Sequence, residues 1–167
     1  SSNSSAVSAT AIGGTLPTTF SVEVQGLAKA QATASASLLP VGGALGAGTL
    51  RLELGQWSVS PASFTPGAGV PVDIDITASD TVFDIASKIN GANAGVTATV
   101  LSDASGERLL LRGKNTGEEA GFRLSVTDAD GVNDDANGLS RLVAGSTVTQ
   151  AAENARATVN GIAVTSA

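Results

Sequence analysis

Apolar and polar residues alternate with a period of two along most of this chain, the pattern of strands with one buried face. Phe20, Val22 and Val24 alternate with Ser21 and Glu23, and with the apolar stretch 6–12 and Gly13-Gly14 before them they predict a first hairpin. Leu50, Leu52 and Leu54 put one apolar face on 49–54, and Val72, Ile74 and Ile76 do the same against Asp73, Asp75 and Thr77 over 70–77. Val96, Ala98 and Val100 predict another strand, followed by a turn at 102–106, a return strand at 108–112, a turn at 115–117 and a strand at 122–126. Over 155–165, Ala157 and Val159 precede Asn160-Gly161, with Ile162 and Val164 after it, so a two-residue hairpin turn is expected there.

The period changes to 3.6 in one place. Val82, Ile85, Ala86 and Ile89 recur at i, i+3, i+4 and i+7, Thr81 and Asp84 fit a capping box, and Gly91 is placed to end the helix. The Ala-rich stretch 27–37 reads as a short helix or an extended linker, and 40–48 as a flexible Gly-rich connection. Pro61, Pro66, Gly67 and Gly69 make 60–69 an exposed loop, and 127–137 is a polar loop. The expected fold class is mainly β with one short helix (α+β), in antiparallel β-rich sub-domains with a boundary near 40–48.

Composition narrows the chemistry. Hydrophobic residues make up 42% of the 167, but there are only four Phe, one Trp and no Tyr, so the core must come from small branched side chains, which favour strands. Fifteen acidic residues stand against nine basic ones scattered singly, which argues against nucleic acid and against an anionic membrane. No apolar run approaches the roughly 20 residues of a spanning helix, and residues 1–10 show no cleavable signal. With no His and no Cys, imidazole bases, thiolate nucleophiles and disulfides are excluded.

The remaining candidates are carboxylates and one aromatic. Asp73 and Asp75 fall on one strand face, as a glycosidase pair would, yet their alternation with Ile74 and Ile76 is that of a plain solvated face. Asp128, Asp130, Asp134 and Asp135 have the oxygen density of a calcium loop, but Val132 and Leu139 occupy ligand positions of the EF-hand pattern, so a solvated acidic loop is expected. Gly113-Lys114 lacks the rest of a phosphate loop. Trp57 is the candidate surface contact, able to stack on a sugar ring or an aromatic partner if exposed, although the scarcity of other large side chains favours packing. No catalytic residue, metal ligand or cofactor is expected.

The segment DTVFDIASKINGANAGVTATVLSDASGERLLLRGKNTG resembles the hook IN motif of flagellins and hook-associated proteins, over 72–117. FSVEVQGLAKAQ from Phe20 and TQAAENARATVNGIAVT from Thr149 resemble two further blocks of the flagellar filament-cap family, in family order, with Glu153 where Gln is commoner. The resemblance implies a head fragment without the family's helical termini. An outer domain at 45–145 would be inserted into an incomplete inner domain at 6–40 plus 146–167. It further implies a non-enzymatic assembly protein at the extracellular tip of the flagellum, exported by the flagellar secretion apparatus without a cleavable signal. Such a protein would form a ring, contact flagellin and promote its folding and insertion. The alternatives are a flagellin or hook–filament junction domain, or an exposed adhesin binding a host glycan or mucin.

Overall fold

The computed structural model describes residues 13–14, 19–60 and 62–167. The expected first arm at 6–12 lies outside the described residues. Strands β1 (Val22–Gly26) and β2 (Ala32–Ala34) lead to the 12-residue β3 (Gly48–Val59), then β4 (Ala62–Pro66) and β5 (Val72–Ile76). Helix α1 (Val82–Ala92) follows, then β6 (Val96–Asp103), β7 (Gly106–Gly113), β8 (Gly121–Asp128), β9 (Thr147–Gln150), β10 (Ala155–Val159) and β11 (Ile162–Ser166). Short 3-10 turns occupy Glu118–Ala120 and Gly138–Leu142.

All the pairings of these strands are antiparallel. The long strand β3 organises one sheet: β5 pairs along 48–52 of one edge, β4 along 55–59, and β8 along 48–55 of the opposite edge. A second sheet runs β6-β7-β2-β9 and a third β1-β10-β11. Leu50 and Leu52 from β3, Ile74 and Ile76 from β5, and Leu109 and Leu111 from β7 meet Val82, Ile85, Ala86 and Ile89 of α1 in one core. The helix begins as its sequence dictates. Thr81 caps the Asp84 N–H, the Asp84 carboxylate returns to the Thr81 N–H, and the first turn buries Val82.

Four expectations need correction. Residues 62–66 form an edge strand rather than a loop: β4 pairs only with β3, and an edge at a strand end tolerates Pro66 and its missing donor. The Ala-rich stretch is neither helix nor linker, because β2 fills the space between β7 and β9. Residues 40–48 are not a free tether: Leu45 is buried, its N–H donates to the Asp80 carbonyl, Ala44 bridges Thr81, and the Gly42 N–H donates to Glu107. The helix ends at Asn93, which takes the left-handed conformation (φ 51°), and Gly91 lies inside it. Strand β9 was not expected at all.

Candidate functional site

The Asp73–Asp75 pair has its partners on the neighbouring strand. Asp73 and Asp75 stand opposite Arg51 and Thr49 on β3, and their carboxylates meet the Arg51 guanidinium at 3.5 Å and the Thr49 hydroxyl at 3.4 Å. They serve as cross-strand partners on a solvated face. Among the described residues no group of three or more His, Cys, Asp or Glu is placed to hold a metal ion.

The acidic loop differs from its expectation in one member. Asp128 is buried, and its carboxylate accepts from the Ser140 N–H at 2.9 Å and the Ser140 hydroxyl at 3.2 Å. Burial pushes its carboxyl upward, but donation from Ser140, Asp130 and Leu139 outweighs that and holds it below the usual carboxylate range. Asp80, Asp84 and Asp103 are lowered too, led by the side chains of Lys88, Thr81 and Ser105 respectively. A general acid–base at neutral pH needs the opposite shift. These aspartates tie turns and a helix end.

Around Trp57 the structure does gather several elements. Trp57 sits on β3, opposite Phe64 of β4, with ring centroids 5.0 Å apart and tilted by 56°. The Arg123 guanidinium from β8 lies 4.8 Å over the Phe64 ring and forks onto one Glu53 oxygen at 2.6 and 3.0 Å. The Trp57 indole N–H donates to the Phe122 carbonyl at 2.9 Å. Gly121 lets β3 and Gln31 approach closely, since a Cβ there would stand 2.8 Å from the Gly55 carbonyl and 3.0 Å from the Gln31 Oε1.

Trp57 is nevertheless 44% exposed. On one side it borders a cleft of about 540 Å³ lined by Gln56, Ser60, Glu118, Glu153 and Arg156. On the other is a groove of about 300 Å³ reaching Leu124, Val143 and Val148 between the two larger sheets. The cleft ends where the chain crosses between sheets. Lys29 and Glu153 pair there through both backbones, at 2.8 and 3.1 Å, and through their side chains at 3.0 Å. Gly117 N–H donates to the Lys29 carbonyl and Glu118 N–H to Asn154.

Two side-chain amides have a role that no local sequence pattern marks. Gln31 is buried, and its amide donates to the Phe122 carbonyl at 2.9 Å while accepting from the Phe122 N–H at 2.8 Å. Asn90 does the same to Ala98, with both distances 2.8 Å. Each imitates one residue of a neighbouring strand on an otherwise open edge.

Residues 63–115 match the model of the flagellin hook IN motif, so the matched segment starts ahead of the expected 72 and takes in most of β4. Over 100 residues the chain is 36% identical to flagellar hook-associated protein 2 of Escherichia coli K12, covering 56% of this chain and 21% of that protein. It is 31% identical over 127 residues to the same protein of Vibrio cholerae, covering 75% and 17%. This chain thus spans about a fifth of the length of the curated relatives it matches. Among solved structures, the D2-D3 domains of the flagellar cap protein FliD from Escherichia coli superpose with a TM-score of 0.74 at 29% identity, over 95% of this chain and 79% of that one. FliD (HAP2) from Pseudomonas aeruginosa PAO1 gives 0.73 at 25% identity, over 94% and 69%.

Proposed function

We propose, from the premise that this chain is a homologue of flagellar hook-associated protein 2 carrying a hook IN motif, that it is the head of a filament cap and acts by shape rather than by bond chemistry. One observation carries the reading: the match to the D2-D3 structure runs through 95% of the chain, through the hook IN segment and the flanking strands alike. In this reading the complete protein is exported through the flagellar secretion apparatus without a cleavable signal. It forms a ring at the filament tip, where the heads bound a chamber in which flagellin folds and inserts.

We divide the head into two units at the Lys29–Glu153 crossing. Strands β1, β10 and β11 form the inner unit, and residues 32–150 the outer one. This moves the boundaries from 40–45 and 145–146, because β2 and β9 are paired into the outer sheet on either side of that crossing. The test is a full-length protein lacking the outer unit, residues 32–150, checked first for export and ring formation. Slowed filament growth is the expected result, and growth at the normal rate refutes the assembly role of the outer unit.

Exposed Trp57 beside a cleft that also presents Glu118, Glu153 and Arg156 favours a second, surface-contact reading, in which the indole stacks on a sugar ring of a host glycan or mucin. A glycan array with Trp57→Ala as control decides it. Equal binding, or none, by both proteins removes Trp57 from that role.

A further inference from the structure

The chain contains three Asn-Gly dipeptides, Asn90-Gly91, Asn137-Gly138 and Asn160-Gly161, and the structure treats them differently. In such a dipeptide the glycine nitrogen can reach the asparagine Cγ, because no Cβ shields it. Reaction needs a carboxamide free to rotate, a glycine N–H open to base, and a donor for the oxygen that gains charge.

Asn90 fails on the first two counts. Both ends of its amide are held by Ala98, and Gly91 lies within α1, where an N–H is committed to the helix. Asn137 fails on charge. Its amide donates to the Asp135 carboxylate at 2.8 Å, and Gly138 packs on the Asp128 carboxylate so closely that a Cβ would stand 2.5 Å from its oxygen. Two carboxylates disfavour the anionic nitrogen that must attack.

Asn160 comes closest to the three conditions: its carboxamide is held at Oδ1 alone, whereas that of Asn90 is held at both ends. It and Gly161 are the two central residues of the β10–β11 turn, with φ of 48° and 83°, closed by the Val159–Ile162 pair. In such a turn the Gly161 N–H stays outside the ladder. Asn160 and Gly161 are exposed at the tip of the turn, open to water and hydroxide. The Ser21 N–H donates to the Asn160 Oδ1 at 2.8 Å, where an oxyanion-stabilising donor would stand. The Asn160 Nδ2 has no hydrogen-bond partner among the described residues.

We infer that Asn160 is a self-modification site. Hydroxide takes the Gly161 amide proton, and the nitrogen attacks the Asn160 Cγ. The Cγ–Nδ2 bond then breaks, and the nitrogen leaves as ammonia after protonation by water. The five-membered imide is opened by water at either carbonyl, giving aspartate or its β-linked isomer. No oxidant or reductant enters. The β-linked product adds a methylene to a two-residue turn, so it breaks the double clamp in which the Asn160 N–H donates to the Ser21 carbonyl and Oδ1 accepts from the Ser21 N–H.

The test follows amide loss at each site by peptide mass mapping of the folded chain held at mildly alkaline pH, beside a urea-unfolded sample. All three sites should convert in urea. In the folded chain only Asn160 should keep a comparable rate, rising in proportion to hydroxide, and hydrogen exchange at Ser21–Val24 should quicken as product accumulates. Retention of Asn160 in the folded chain, or conversion of Asn90 or Asn137 at an equal rate, overturns the assignment.

Discussion

Replacing Gln31 by Leu tests whether a side-chain amide closes the edge of β8. Leucine keeps nearly the same volume at a position 2% exposed, and its burial recovers part of the transfer energy, so the change isolates the two hydrogen bonds to Phe122. The Phe122 N–H loses the one partner it has among the described residues, whereas the carbonyl keeps the Trp57 indole. One buried donor left unpaired costs about 1–3 kcal/mol, a sizeable part of a typical total of about 5–15. Trp57→Phe alone should cost less than about 1 kcal/mol, because Gln31 still serves the carbonyl. The double variant orphans both groups and should exceed the sum of the singles by roughly 1 kcal/mol. Urea melts followed by far-ultraviolet circular dichroism, with unchanged slope, give all three values. The reasoning fails if Gln31→Leu lies within about 0.5 kcal/mol of the parent, or if the two changes add within about 0.3 kcal/mol.

The carboxyl of Asp128 is lowered on folding, so its contribution is present above the unfolded value of 3.8 and is lost as pH falls through the folded pKa. Acid titration of stability should therefore be shallower in Asp128→Asn, and an unchanged acid limb counts against this role. Thr81→Ala removes the helix cap and should cost about 0.5–2 kcal/mol by thermal or urea melting. Gly55→Ala places a Cβ 2.2 Å from the Thr65 carbonyl, so it should prise β4 from β3 and quicken hydrogen exchange over 62–66; exchange as slow as in the parent refutes the contact.

Legibility in the sequence followed the range of the cause. The helix and the β10–β11 hairpin are specified within a few residues, by a capping box on a 3.6-residue period and by Asn160-Gly161, and both stand as expected. Strand β2 has three residues of an Ala-rich stretch, and β9 carries one large apolar side chain, Val148, so neither has a period to read. They are strands because the edges of β7 and then β2 accept them, across long separations in sequence. Residues 62–66 carry Pro66 and are flanked by Pro61, Gly67 and Gly69, a neighbourhood that resembles a loop until the partner strand is known. Trp57 stands out as the only tryptophan, but its half-exposed setting depends on Phe64 and Phe122, on two other strands.

Gln31 and Asn90 were hidden for a further reason that bears on what this module has to avoid. Both lie in the segments that carry the family resemblance, yet neither is a ligand-type residue, and each acts on a residue of another element. A side-chain amide offers one donor and one acceptor at nearly the spacing of a peptide group, so it satisfies an open strand edge without supplying another strand. The edges so treated are β8 at Phe122 and β6 at Ala98, each on a strand with a single neighbour in its sheet. Free edges recruit extended chains. For a head proposed to stand beside polypeptide arriving unfolded, an edge occupied by its own amide is a defence that leaves the apolar faces undisturbed. A charged residue at Gln31 would block pairing equally well, but only by burying an unpaired charge in a site 2% exposed, which costs far more than an amide with both ends bonded.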